Sequence, residues 1–144
     1  MKSLDTNILL YAANLKAPEH LKARGIVDAM LEAPREWILS DQTLLEFYKA
    51  LQNPKVFEKP CGAMEAAGMV SFLRGDACIP HCAFESGSFD GLFQHLAAKD
   101  FPYQRTHDAV LAITLRHEGV EEFYTRNTKD FIQFGFKRLI NPID

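Results

Sequence analysis

Apolar residues recur along the chain with two periods, and together they predict a three-layer α/β fold. Apolar runs too short to form helices predict strands at residues 1–4, 37–39, 123–125 and 138–140. Apolar residues spaced three and four apart predict helices at residues 6–11, 19–33, 41–51, 60–73, 89–98 and 106–118. Strands alternating with helices indicate one domain, residues 1–144, with a short central parallel sheet flanked by helices on both faces.

Residues that favour helix ends mark several of these boundaries. Thr6 and Asn7 are candidate caps for the first helix, and Ser40 and Asp41 are both good N-caps for the third. Thr106 is a candidate N-cap for the last long helix. That helix is apolar nearly all round, so we expect it to be buried.

The composition is that of a globular protein with a sizeable core, since 47% of the residues are apolar and 24% are charged. No apolar run approaches the roughly 18 residues that a membrane span needs, and Asp5 interrupts any signal-like stretch, so we expect a cytoplasmic protein. The formal net charge is −3, from 16 basic and 19 acidic residues. A protein that coats nucleic acid is usually strongly basic, so an RNA substrate would need a local positive surface.

The three cysteines do not form a disulfide framework and are expected to be reduced thiols. Cys78 and Cys82 flank His81, and Cys61 lies upstream, so the residue types could suggest a zinc site. The spacing is not a known zinc pattern. Buried thiols with an incidental histidine are the favoured interpretation.

Polar residues collect at the predicted carboxyl ends of strands, where open parallel sheets bind their ligands. Asp5 ends the first strand, Asn127 follows the strand at 123–125, and Asp108 lies in the first turn of a helix. Each aspartate also has an ordinary structural explanation, because such residues cap helices or favour their positive ends. Glu46 lies opposite the apolar stripe of its helix, so periodicity alone favours a solvated side chain.

Four segments taken together resemble the motifs of bacterial PIN-domain toxins of the VapC type. They are Leu4–Tyr11 with its Asp-Thr-Asn, Leu44–Leu51, Thr106–Ala109 and Tyr124–Phe131. The resemblance spans nearly the whole chain, although residues 61–101 carry no recognised motif. It implies a PIN-like fold and a metal-dependent endoribonuclease that acts on RNA, has a cognate antitoxin as partner and forms a homodimer.

The resemblance also implies a metal site. By it, Asp5, Glu46 and Asp108 would be the catalytic carboxylates and would bind Mg²⁺ or Mn²⁺, hard cations that prefer oxygen ligands and offset carboxylate repulsion. Such a metal would polarise the scissile phosphate and activate a bound water. Asn127 stands where most relatives have a fourth acid. We expect Asn127 rather than Asp130 to complete the site, with one tightly held ion.

Further polar residues beside these motifs are candidates for supporting roles. Thr125 and Asn7 could contact the metal through water, as could Asp130. Arg126 and Lys129 are local positive charges that could hold RNA phosphates.

Two other functions stay open. Asp5 could accept a phosphoryl group, although folds that do this usually carry a second acid beside it and a late strand-end lysine, whereas Thr6 and Asn7 follow here. A catalytically weakened PIN fold retained for binding partners is kept open by Asn127, while the three acids argue for activity.

The predicted helices carry more apolar side chains than one small core needs. These are Leu21, Ile26, Met30, Phe72 and Leu73. The surplus leaves room for the homodimer that the resemblance implies.

Overall fold

The computed structural model describes residues 1–144 and has the alternating strands and helices that the sequence predicts. The strands are β1 Lys2–Leu4, β2 Leu39–Ser40, β3 His81–Cys82, β4 Glu122–Tyr124 and β5 Arg138–Ile140. The α-helices are α1 Thr6–Ala13, α2 His20–Glu32, α3 Asp41–Leu51, α4 Ala63–Ser71, α5 Phe89–Leu96 and α6 Thr106–His117. A π-helical turn, Phe72–Asp76, extends α4, and the longest 3₁₀ helix is Thr128–Phe134. None of the helices has the length and apolar character needed to cross a membrane.

All strand pairings are parallel. β4 lies between β1 and β5, and β2 pairs with β3. A bridge between Lys2 and Trp37, together with the Ile38 N–H donating to the Lys2 carbonyl at 2.9 Å, joins the two pieces in the order β3-β2-β1-β4-β5. The strand order therefore reverses between β1 and β4. In open α/β sheets such a reversal opens a crevice at the carboxyl ends of the strands.

Side chains alternate between the two faces of the sheet, so each face has its own apolar cluster. Leu4 and Tyr124 pair in register and pack on the side of α1 to α4. Phe123 and Leu139 also pair in register and pack on the side of α5 and α6. The predicted three-layer arrangement is confirmed.

Two helix starts differ from the predictions, and a third agrees with one of its two candidates. Asp5, rather than Thr6 or Asn7, caps α1, because its carboxylate accepts a hydrogen bond from the Thr6 N–H at 2.7 Å. Ser40, one of the two candidates, caps α3. Thr106 begins α6 instead of capping it, and its hydroxyl donates to a carbonyl in the turn before the helix.

Two strands also differ from the predictions. The strand predicted at residues 37–39 starts later, since Trp37 only bridges to β1 and regular pairing begins at Leu39. β3 was not predicted, because a two-residue strand is too short to show any alternation of apolar and polar residues.

The five apolar residues predicted to exceed the needs of the core differ in their burial. Met30 and Leu73 are 0% and 7% exposed and belong to the core, so the prediction is wrong for them. Ile26 packs partly against the same cluster. Leu21 and Phe72 are 81% and 45% exposed. The homodimer stays a prediction, and Leu21 and Phe72 are the two of these side chains that are free to take part.

Candidate functional site at the carboxyl ends of β1 and β4

The reversal of strand order places Asp5 and Thr125 side by side. The Asp5 N–H donates to the carbonyl of Tyr124, and the Thr125 N–H donates to that of Ile140, both at 2.9 Å, so strand pairing continues into these residues. The Thr125 hydroxyl donates to Asp5 Oδ2 at 2.8 Å. Both residues are buried. The Asp5 carboxylate is therefore oriented by the neighbouring strand.

The Asp5 carboxylate is both buried and hydrogen-bonded. Besides Thr125, the Thr6 N–H donates to Oδ1, and Asn7 Nδ2 lies 3.4 Å from Oδ2. Burial raises the pKa of Asp5 to about 6, the hydrogen bonds from Thr125 and Thr6 oppose the rise, and the charges of Asp108 and Glu46 add to it. An ionised Asp5 is thus unfavourable here unless a cation balances the charge.

Glu46 reaches the same crevice from α3. Its Oε2 accepts a hydrogen bond from the Thr6 hydroxyl at 2.8 Å, and its Oε1 accepts one from Gln42 Nε2 at 3.0 Å. The side chain is half-buried. The side chain is therefore less solvated than periodicity alone favours, because its carboxylate bonds to Thr6 on α1.

Asp108 lies in the first turn of α6, close to a further acid. Burial raises its pKa, the charges of Asp130 and Glu46 raise it further, and Arg105 and His107 oppose the rise. Asp130 Oδ1 lies 2.8 Å from Arg105 Nη2, an ion pair without the angle of a hydrogen bond. Four acids therefore act on one another at this edge of the sheet.

The structure places Asn127 at the rim. Its backbone N–H donates to the Thr125 hydroxyl at 3.1 Å, and its side chain is exposed and makes no hydrogen bond. Asp130 is three residues further on and is half-buried. The charge of Asp130 acts on Asp108. Asn127 as the residue that completes the metal site stays a prediction.

The two candidate RNA-binding cations also lie at the rim, in different surroundings. The Arg126 guanidinium donates to the Tyr11 hydroxyl, lies 5.3 Å from the centre of that ring and is 3.9 Å from Glu19 Oε1. Lys129 is exposed and forms no ion pair. Contact of either residue with RNA stays a prediction.

The sequence analysis did not identify two residues that bond to the acids, one through a hydrogen bond and one through an ion pair. Gln42 precedes Glu46 by one helical turn, a spacing at which side chains meet, so the signal was present in the sequence. Arg105 immediately precedes α6 and was not recognised as a partner of Asp130.

The donor set of the crevice suits a hard divalent cation. It consists of carboxylate oxygens, several of which already accept hydrogen bonds that fix their direction. Asp5, Glu46 and Asp108 could supply such oxygens, and the charge of Asp130 acts on Asp108.

A separate set of ligand-type side chains lies near the carboxyl end of α6. Glu85, His117 and Glu118 bring their ligand atoms within 4.8 Å of one another, and all three are exposed.

Cys82 is buried, and burial together with nearby acids raises the pKa of its thiol to about 12. That pKa describes an unreactive thiol.

Comparison with known proteins identifies the class of the fold. Against VapC20 of Mycobacterium tuberculosis, a Sarcin-Ricin loop cleaving toxin, the TM-score is 0.65 with 16% identity over 85% of this chain and 87% of that one. FitAB bound to a DNA fragment gives 0.65 with 17% identity over 100% and 96%. FitAcB from Neisseria gonorrhoeae gives 0.63 with 17% identity over 99% and 98%. The predicted PIN-like fold is confirmed.

The sequence comparison identifies the family within that class. The chain is 39% identical to Ribonuclease VapC24 of Mycobacterium tuberculosis over 145 aligned residues, which cover 99% of this chain and 97% of that protein. No family model matches the chain. The chain belongs to the VapC family of PIN-domain ribonucleases.

The buried charge on Asp5 predicts a pH-dependent stability. Its pKa is higher in the folded protein than in the unfolded chain, so the folded state binds more protons between about pH 4 and about pH 6 and loses stability as the pH rises through that window. In chelator at neutral pH, Asp5→Asn should therefore stabilise the protein by up to ~3 kcal/mol, or roughly 6–12 °C in melting temperature.

Thermal unfolding at several pH values checks this prediction. Near pH 4 the difference between Asp5→Asn and the wild type should vanish. Asp100→Asn, at an exposed position, is the matched control and should follow the wild type throughout. A variant less stable than the wild type at neutral pH would contradict the prediction.

Proposed function

We propose that this chain is a metal-dependent endoribonuclease of the cytoplasm and the toxin component of a type II toxin–antitoxin system. It hydrolyses RNA phosphodiester bonds with Mg²⁺ or Mn²⁺ held by Asp5, Glu46 and Asp108. The observation that carries the proposal is that the charges of Glu46 and Asp108 both act on the buried Asp5 at the reversal of the strand order, in a chain similar over its length to a VapC ribonuclease.

Each residue has a defined part in this function. Asp5, Glu46 and Asp108 would hold a divalent ion, which would supply Lewis-acid chemistry for activating a water and stabilising the leaving oxygen. Thr125 and Thr6 hold the Asp5 carboxylate in one direction. Arg126 and Lys129, both exposed, hold phosphates of the RNA.

The two competing functions are less well supported. A phosphoryl group on Asp5 would sit against the negative charges of Glu46 and Asp108, which oppose it. A weakened PIN module that only binds partners would have no need to bury Asp5 where the charges of Asp108 and Glu46 oppose its ionisation, at a cost to stability.

Removing one of the three acids should abolish the activity. Asp108→Asn keeps the shape of the side chain and removes its charge, so we expect cleavage of a fluorescent RNA with Mn²⁺ to fall by more than about a hundredfold, because loss of a metal's supporting residues alone costs 10–100-fold. The exposed Asp100→Asn should cleave at the wild-type rate. Full activity in Asp108→Asn, or in excess chelator, would refute the metal mechanism.

The fourth ligand can be assigned by metal titration. We propose Asp130, because its charge acts on Asp108 whereas the Asn127 side chain is exposed at the rim. Calorimetric titration with Mn²⁺ should show weaker binding for Asp130→Asn and little change for Asn127→Ala. The opposite pattern would restore Asn127, as the sequence first suggested.

A groove of about 450 Å³ between α1, α2, α3 and α4 is a candidate site for the antitoxin. Its walls are mainly apolar, and they include Leu9, Val27, Leu31, Met69 and Phe72, with the charged residues Arg24 and Glu65 beside them. Apolar grooves of this kind accept the apolar face of an amphipathic helix. We propose that a helix of the antitoxin binds there.

A charge in the groove should separate partner binding from catalysis. Phe72 is partly exposed, so Phe72→Asp should fold, lose co-purification with the protein encoded by the adjacent reading frame, and still cleave RNA. Leu21→Asp, at an exposed position outside the groove lining, is the control and should still bind. Undiminished co-purification of Phe72→Asp would show that the antitoxin binds elsewhere.

A further inference from the structure

We propose that Gln42 is a positioning residue that fixes the separation of Glu46 and Asp108, and with it the affinity of the site for its metal. The proposal rests on the proposed function, because it concerns the same carboxylates. Its basis is one side-chain amide that bonds to both acid-bearing helices.

The Gln42 amide nitrogen makes two hydrogen bonds. It lies 3.0 Å from Glu46 Oε1 on α3 and 2.9 Å from the carbonyl oxygen of His107 in the first turn of α6. A carboxylate and a carbonyl can only accept hydrogen bonds, so the NH₂ group must face them and both of its hydrogens are used. The orientation of the amide is therefore determined.

This link joins elements that lie on opposite faces of the sheet. α3 packs into the apolar cluster with Leu44 and Phe47, while α6 packs into the other cluster with Ala109 and Leu111. The two helices therefore pack mainly on different neighbours. Gln42 connects them directly, because it bonds to the carbonyl of His107, the residue before Asp108.

The Glu46 carboxylate is held at both oxygens. The Thr6 hydroxyl donates to Oε2, and Gln42 donates to Oε1. The two donors fix the rotation of the carboxylate about its terminal bond, and each oxygen keeps a further lone pair for a cation. Without Gln42 the carboxylate can turn, and its repulsion from Asp108 is no longer opposed by the bond to α6.

Calorimetric titration of the chelator-treated protein with Mn²⁺ tests the proposal. Gln42→Met keeps the length and helix preference of the side chain but has no donor, and it should bind Mn²⁺ about 10- to 100-fold more weakly, as for other residues that orient metal ligands. The matched control is Gln52→Met at the C-terminal end of α3, one turn after Tyr48, whose carbonyl Gln52 contacts at 3.1 Å. It should bind Mn²⁺ as the wild type does.

A second variant separates positioning from charge. Gln42→Glu has nearly the same shape, loses the donors and adds a negative charge. If charge alone governed binding it would bind Mn²⁺ more tightly, whereas the positioning role predicts weaker binding. It also provides the test if Gln42→Met does not fold.

The outcomes distinguish this proposal from the proposed function. If the wild type binds Mn²⁺ and Asp108→Asn does not, wild-type affinity in Gln42→Met or tighter binding by Gln42→Glu overturns the role of Gln42 and leaves the metal site intact. If Gln42→Met lowers the melting temperature in chelator without changing the affinity, Gln42 is only structural and the proposal is again wrong. If the wild type binds no Mn²⁺, the proposed function fails, and this role fails with it.

Discussion

Burial of the Asp5 carboxylate beside two other acids is the constraint on which the site depends. Asp5 is buried, and the charges of Glu46 and Asp108 oppose its ionisation. The fold offsets part of this cost with hydrogen bonds to Asp5 from Thr125 and Thr6. The remainder is met by a proton or a cation, so occupancy of the site and stability of the fold are linked through the same groups.

The acids come from three different layers of the molecule. Asp5 is delivered by the sheet, Glu46 by a helix on one face and Asp108 by a helix on the other. Packing of each layer positions one acid, and the hydrogen bonds of Thr6 and Gln42 then connect the layers at the crevice. The geometry of the site is therefore a property of the assembled fold and not of any one segment.

The sequence predicted what local chemistry determines. The end of a strand located Asp5, and the first turn of an apolar helix located Asp108. The direction of Glu46 was not predictable, because periodicity separates apolar from polar faces and does not say whether a polar face meets water or a crevice. β3 was too short to carry a pattern.

The fourth acid shows a different limit. Asp130 lies in the 3₁₀ helix Thr128–Phe134, where the chain turns every three residues, and its neighbour Phe131 is held in the core. The pairing with Arg105 completes its placement. These are tertiary contacts between distant parts of the chain, and no spacing within residues 124–131 encodes them.

The hydrogen bond between Thr125 and Asp5 spans 120 positions of sequence, and β4 is the strand that pairs with both β1 and β5. During synthesis the amino-terminal part of a chain emerges first. β1 must then wait for its partner β4, although Thr6 can already link the Asp5 segment to Glu46. Asp108 and Thr125 join them only after α6 and β4 have been translated, so the nascent chain has no complete site before that point.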